Sequence, residues 1–179
     1  MSAEEYEKKI ASYNRNDLIT LWDAIKENNA PDWQAGKALE YLVLRAFQLE
    51  GAEVRWPYSV HYGKQEIEQI DGVIYLDYLI CVIECKDQKE PVSVEPIAKL
   101  RNQLTRRPSS VFGVLFSRSG FTDPAITLAQ FISTQTILIW NGDEISYALE
   151  KGYMKEGLIR KYRHHVEYGF IDYDIRVGG

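Results

Sequence analysis

The stretch that decides the fold spans residues 67–86 and reads IEQIDGVIYLDYLICVIECK. It contains two strongly apolar runs, residues 67–76 and 78–86, which are separated by a break at Asp77. Short apolar runs of this length, bounded by a turn signal, predict buried β-strands. Because the break between them is short, we expect the two strands to pair as a hairpin.

Three ionisable residues occupy this predicted hairpin, namely Asp71, Glu84 and Lys86. Strand side chains alternate between two faces, so Glu84 and Lys86 share a face, and Asp71 approaches Glu84 from the neighbouring strand. Two close carboxylates repel each other unless a cation lies between them, and Mg²⁺ prefers one or two carboxylates with phosphate oxygens and water. A neighbouring lysine can orient or deprotonate an attacking water, or neutralise charge on a phosphate. This combination indicates a metal-dependent phosphodiester hydrolase.

A structural interpretation of the same residues is that Glu84 and Lys86 lie on a solvated strand edge and that Asp71 begins an ordinary turn. Motifs this short also occur by chance. The residues around them favour the functional interpretation, because they predict a buried strand: Cys81, Val82, Ile83 and Cys85. A charged pair in a buried strand is costly unless it has partners.

Composition predicts a soluble globular protein. The length of 179 residues is enough for one domain with a sizeable core. The composition, 45% hydrophobic and 26% charged, is ordinary for such a protein. No run approaches the ~18 apolar residues that a membrane span requires, and the first residues resemble no secretion signal, so we expect a cytoplasmic location and no membrane partner. Two cysteines and three histidines do not make a zinc site.

Charge is unevenly distributed along the chain. The net charge is −5, yet residues 86–118 carry seven basic and three acidic side chains, a balance of +4. Phosphate contact depends on the local field, so this segment is the candidate nucleic-acid surface, with a solvated helix face as the open alternative. The candidate contacts are Lys89, Lys99, Arg101, Arg106, Arg107 and Arg118.

The remaining pattern predicts an α/β fold with a central mixed β-sheet and helices on both faces. Helices are expected over residues 3–28 (with a break near 13–16), 33–50 (capped by Asp32), 97–107, 124–133, 144–152 and 155–168. Further strands are expected over residues 52–60, 111–117 and 136–140. The basic cluster at residues 160–165 is predicted to be a solvated helix face. We expect one domain over residues 1–179, with an N-terminal helical extension (1–30), a catalytic core (33–145) and a C-terminal helical region (146–179).

Seven segments in this order resemble the PD-(D/E)xK restriction-endonuclease-like superfamily and, within it, the Mrr-type restriction endonuclease catalytic domain. The similarity covers about residues 33–145. The matching segments are GKALE at 36–40, LEGAEV at 49–54, QIDG at 69–72, VIECK at 82–86, FGVLFS at 112–117, GFT at 120–122 with Ala125, and residues 137–142.

The resemblance implies roles for the motif residues. Asp71 and Glu84 would bind Mg²⁺ or Mn²⁺ together with the main-chain carbonyl of Cys85, and Lys86 would position or activate the water. The implied activity is an endonuclease that cuts DNA in a restriction or defence setting.

The resemblance also implies roles for two helix residues, and the sequence differs from the family pattern in two respects. Glu40 would hold the outer shell of the metal or the water network, and Gln103 would lean toward the site. Ile70 replaces the proline of the superfamily's name, and residues 1–30 are too short for the separate DNA-reading domain that Mrr-type proteins often carry. A separate targeting partner is therefore an open alternative.

Two other functions stay open at this stage. The first is a non-catalytic module that keeps the fold and binds nucleic acid or another protein. The second is a structure-specific junction nuclease that works as a homodimer. The sequence does not distinguish DNA from RNA as the substrate.

Overall fold

A computed structural model describes residues 1–131 and 135–177. Its helices are α1 (Ala3–Ala11), α2 (Arg15–Lys26), α3 (Lys37–Leu49), α4 (Val94–Leu104), α5 (Asp123–Gln130), α6 (Gly142–Lys151) and α7 (Met154–Tyr168). Its strands are β1 (Glu53–Arg55), β2 (Tyr58–Tyr62), β3 (Gln65–Ile70), β4 (Gly72–Leu76), β5 (Leu79–Lys86), β6 (Val111–Ser117) and β7 (Ile137–Trp140). None of the helices in these two ranges combines the length and the apolarity needed to cross a membrane.

The main sheet has five strands in the order β1-β4-β5-β6-β7. Strands β1, β4 and β5 pair antiparallel, whereas β5, β6 and β7 pair parallel, so the sheet is mixed. Two glycines show that helices cover both faces. A Cβ atom on Gly72 would lie 2.7 Å from Leu44 of α3, and one on Gly113 would lie 2.8 Å from Leu100 of α4. The predicted α/β fold with helices on both faces is confirmed.

The predicted start of α3 was wrong. The helix was expected to begin at Trp33 with Asp32 as its cap, but it begins at Lys37, and its N-cap is Gly36. Gly36 has a φ of +82°, which a residue without a Cβ adopts readily, and it makes no side-chain cap. The predicted end of the helix over 124–133 lies outside the described residues, because α5 is described to Gln130.

Two predicted strands are each divided in the structure. The strand expected over residues 52–60 is divided at Pro57, which has no N–H to donate to a ladder, and β1 and β2 join different sheets. The run over residues 67–76 is divided at Asp71. Strand β3 pairs with β2 in a separate two-stranded sheet, while β4 belongs to the main sheet. Asp71 therefore lies at the junction of the two sheets.

The basic cluster at residues 160–165 was predicted to be solvated, and this was wrong for Lys161. Its side chain is 1% exposed and lies 2.6 Å from Glu144 of α6. Glu144 also accepts hydrogen bonds from the main-chain N–H groups of Asn141 and Ile175, at 3.0 and 3.1 Å. Lys161 donates to the main-chain carbonyl of Tyr173. A buried ion pair thus attaches the C-terminal segment to α6 and α7.

Candidate active site

The hairpin of β4 and β5 brings Asp71 and Glu84 to the same end of the sheet. Gly72 pairs with Ile83, so the residue before Gly72 lies beside the residue after Ile83. The main-chain N–H of Cys85 donates a hydrogen bond of 2.8 Å to Oδ2 of Asp71, which fixes the carboxylate against the motif strand. The predicted hairpin is confirmed, and it places both acidic residues of the motif on one cleft.

Glu84 is a completely buried carboxylate, with an exposed fraction of 0%. Lys86 lies 2.6 Å from its Oε1 atom. Lys99 of α4 contacts both oxygens, at 2.8 Å from Oε1 and 2.9 Å from Oε2. Two ammonium groups therefore neutralise a charge that burial alone would make costly.

Glu40 reaches the same cleft from the first turn of α3. It is 8% exposed, and its Oε2 atom lies 2.7 Å from Nζ of Lys37. Burial raises the pKa of Glu40, the Lys37 ammonium opposes that shift, and the Glu84 carboxylate adds to it. The structure thus brings the helix glutamate into electrostatic contact with the motif carboxylates. The cleft has a volume of about 700 Å³ and is lined by residues of α1, α3, the β2–β3 hairpin, β5 and α4.

Asp71 differs from the other two carboxylates because it forms no ion pair within residues 1–131 and 135–177. Burial, followed by the charges of Glu84 and Glu40, raises its pKa to about 7. For Lys86, burial lowers the pKa, but the Glu84 carboxylate outweighs burial and the net direction is upward, so the ammonium stays charged at neutral pH. A carboxyl group with a raised pKa in a cleft is a candidate functional group.

The donor set at this end of the sheet fits a hard divalent cation. Mg²⁺ needs only one or two carboxylates from the protein, and Asp71 and Glu84 supply two. No group of three or more His, Cys, Asp or Glu side chains in the described part of the chain is arranged to hold a metal ion. Burial raises the pKa of the Cys85 thiol well above its usual range, so this thiol is not a thiolate ligand. A role for its main-chain carbonyl stays a prediction.

A contact between α4 and β3 that sequence reasoning missed positions Asp71. Gln103 is 3% exposed, and its Nε2 atom donates a 3.0 Å hydrogen bond to the main-chain carbonyl of Gln69, two residues before Asp71. Arg107 lies 3.0 Å from Glu68 on the same strand, and Arg106 also pairs with Glu68. We call these contacts of Gln103, Arg106 and Arg107 the hairpin clamp, because they hold strand β3 of the β2–β3 hairpin. Gln103 thus acts on the strand that leads into the cleft.

The other predicted nucleic-acid contacts divide into two kinds. Arg118 has a side chain that is 8% exposed; it lies 2.9 Å from Asp87 and donates to the main-chain carbonyl of Ile25. Its contacts tie the end of β6 to α2. Lys89 is exposed and Arg101 is half-buried. Phosphate contact by any of these residues stays a prediction.

Comparison with known families identifies the chain. A family model, Mrr_cat, described as restriction endonuclease, matches residues 32–149. The chain belongs to this restriction endonuclease family. The Mrr_cat region contains the cleft residues Glu40, Asp71 and Glu84, as well as Lys86 and Lys99. The Mrr-type likeness predicted from the sequence is confirmed, and Mrr_cat is a nuclease family.

Three solved structures that match this Mrr_cat chain share little sequence with it. A protein of unknown function, AF1548, has 17% identity and a TM-score of 0.48, over 74% of this chain and 77% of that one. The DNA modification-dependent restriction endonuclease AspBHI has 12% identity and a TM-score of 0.45, over 93% and 42%. The restriction endonuclease MspJI, in complex with a 27-mer oligonucleotide, has 16% identity and a TM-score of 0.42, over 87% and 34%. The chain spans less than half the length of the latter two. No curated protein sequence matches it.

Proposed function

We propose that this protein is a divalent-metal-dependent endonuclease that hydrolyses phosphodiester bonds in DNA. The observation that carries the proposal is the meeting of Asp71, Glu84 and Lys86 in one cleft, within the region that matches the restriction endonuclease family. Glu84 is completely buried and Asp71 is half-buried, yet both border an open cleft of about 700 Å³, which a purely structural acidic pair would not require.

Asp71 and Glu84 are the proposed metal-binding residues, and Mg²⁺ or Mn²⁺ is the proposed ion. Asp71 supports this assignment because a main-chain N–H holds its carboxyl group and, in the described residues, it forms no ion pair. A bound divalent ion supplies Lewis-acid polarisation of a phosphoryl oxygen and lowers the pKa of a bound water.

Lys86 and Glu40 are the proposed groups around the attacking water. The Lys86 side chain is 28% exposed, so its ammonium can donate both to Glu84 and to a group in the cleft. Its positive charge stabilises negative charge that develops on the phosphate during the reaction. Glu40, which Lys37 holds in place, can accept a hydrogen bond from the water.

DNA is proposed to contact the chain along the rim of the cleft. Tyr58 and Ser59 of the β2–β3 hairpin line one side, and the loop at Asp87 and Gln88 lines another. Lys89 directly follows that loop, and its exposed ammonium suits a backbone phosphate. The family membership favours DNA over RNA as the substrate.

A cleavage assay tests this proposal. Supercoiled plasmid and branched DNA are incubated with the full chain in Mg²⁺, in Mn²⁺ or in EDTA. We expect nicking or linearisation that requires the metal and is about a hundredfold slower in Lys86→Ala. Lys26→Ala serves as the matched control, because Lys26 pairs with Asp23 on the surface and does not line the cleft. Cleavage of branched DNA alone would indicate a junction nuclease. No cleavage and no metal binding would indicate a non-catalytic module.

A further inference from the structure

Lys99 lies outside the acidic motif, yet it contacts both carboxylate oxygens of Glu84. Its ammonium donates to Oε1 and Oε2, at 2.8 and 2.9 Å, while Lys86 lies 2.6 Å from Oε1. A cation that binds Glu84 therefore has to share the carboxylate with Lys99 or replace it.

The backbone of Lys99 is fixed, but its side chain is not enclosed. Leu100 packs against the sheet at Gly113, and Gln103 holds β3 one turn further along α4. The Lys99 side chain, in contrast, is 45% exposed. A lysine ammonium is a strongly hydrated charge on a flexible four-carbon stem. It can leave Glu84 for solvent without any movement of the core.

We propose that Lys99 is a positioning residue that holds and neutralises Glu84 until a divalent cation replaces it, and that it thereby sets the metal affinity of the cleft. This inference rests on the proposed function. An ammonium and a divalent cation compete for the same oxygens and repel each other at short range. Lys86 also lies beside Glu84, but its side chain is less exposed than that of Lys99, at 28% against 45%.

The inference predicts opposite effects on two separate quantities when the charge of Lys99 is removed. Metal affinity increases, because the competitor and its repulsion are gone. Stability without metal decreases, because Glu84, which is completely buried, loses one of its two counter-charges. A residue with a purely structural role would change the second quantity and leave the first unchanged.

The experiment compares the full chain with Lys99→Met. Mn²⁺ affinity is measured by isothermal titration calorimetry, and thermal unfolding is followed with and without Mn²⁺. We expect the Kd for Mn²⁺ to fall about tenfold, because the variant removes one positive charge at contact distance from the ion in a partly solvated site. The metal-free Tm should drop, and the rise in Tm on adding Mn²⁺ should exceed that of the unmodified chain. Lys26→Met, which removes a charge remote from the cleft, should change none of these quantities.

Two further variants keep the test decisive. Lys99→Arg keeps the charge and should return the Kd to within about twofold of the original. Lys99→Gln keeps a hydrogen bond to Glu84, so it replaces Lys99→Met if that variant does not fold. An unchanged or higher Kd in the uncharged variants overturns the role of Lys99 and leaves the proposed function standing. If neither the original chain nor any variant binds Mn²⁺, both proposals fail.

Discussion

Glu84 and Glu144 are both buried carboxylates that lie 2.6 Å from a lysine ammonium, and they differ in what else holds them. Glu144 is 2% exposed and accepts hydrogen bonds from two main-chain N–H groups, and its partner Lys161 is also buried. Glu84 is bound by the ammonium groups of Lys86 and Lys99, whose side chains are 28% and 45% exposed.

The difference shows how similar ion pairs suit a structural role in one place and, under the proposed function, metal binding in another. Main-chain donors are fixed by the fold, so Glu144 cannot exchange its partners without unfolding the C-terminal segment. Burial lowers the pKa of Lys161, which is tolerated because the Glu144 carboxylate opposes that shift. The partners of Glu84 are flexible and reach solvent, so a ligand can replace them at low cost.

The largest expected effect is on stability, at the Glu144 pair. Lys161→Met leaves Glu144 buried without its counter-charge, and we expect a loss of about 3–5 kcal/mol in the free energy of unfolding. Urea denaturation measures this. Lys99→Met should cost clearly less, because Lys86 remains beside Glu84 and water reaches the site. Equal losses in the two variants would remove the distinction between the pairs.

The next effect is on catalysis, at the Glu84 pair. Lys86→Ala should slow cleavage about a hundredfold, or on the order of 3 kcal/mol in the activation free energy, because the charge beside the reacting phosphate is lost. Single-turnover cleavage of plasmid DNA measures the rate, and circular dichroism checks the fold. A rate within about threefold of the original would mean that Lys86 has no part in the chemistry.

The hairpin clamp gives an intermediate effect. Arg106 and Arg107, changed together to Ala, leave the nearly buried Glu68 unpaired, so we expect a stability loss of about 1–3 kcal/mol and slower cleavage as Asp71 loses its support. The salt dependence of DNA binding separates this role from phosphate contact. If the slope of log affinity against log salt concentration is the same in the variant and the original chain, the two arginines act in the clamp. If the slope becomes shallower by about two, both arginines contact phosphates.

The smallest effect concerns pH and Asp71. The pKa of Asp71 in the folded chain is about 7, above its usual value of 3.8, so the unfolded chain loses this proton at a lower pH than the folded chain does. The protonated Asp71 carboxyl group therefore contributes to the free energy of unfolding in full below about pH 4. This contribution is lost as the pH rises to about 7. Asp71→Asn should be more stable than the original without metal at pH 8, by on the order of 1 kcal/mol, and not at pH 4. Thermal unfolding at the two pH values measures this, and a destabilised Asn variant at pH 8 would contradict it.

Local patterns in the sequence predicted the acidic hairpin and the mixed sheet around it. Strand alternation is a property of neighbouring residues, so the shared face of Glu84 and Lys86 could be read directly, and residues 111–117 form β6 as predicted. The partners of the charged residues could not be read in this way. Lys99 and Glu84 are 15 residues apart, and Arg107 and Glu68 are 39 apart.

The errors at Lys161 and Asp32 have different causes. Helical spacing places Lys161 in a basic cluster, but only the packing of α6 on α7 brings Glu144 against it. Asp32 is a good cap residue by type, yet the chain needs four more residues before α3 begins, and Gly36 supplies the positive φ at that point. Tertiary packing therefore decided the environment of Lys161, and the backbone conformation of Gly36 decided the start of α3.

The most direct test of the contrast between the two carboxylates is Mn²⁺ binding, measured by calorimetry on the original chain, Glu84→Gln and Glu144→Gln at a temperature where all three are folded. We expect Glu84→Gln to lose at least about tenfold in affinity, since a carboxylate ligand becomes a neutral amide. Glu144→Gln should bind Mn²⁺ like the original chain while unfolding at a lower temperature. Equal Mn²⁺ affinity in Glu84→Gln and the original chain, or a loss confined to Glu144→Gln, would contradict the assignment of Glu84 to the metal site.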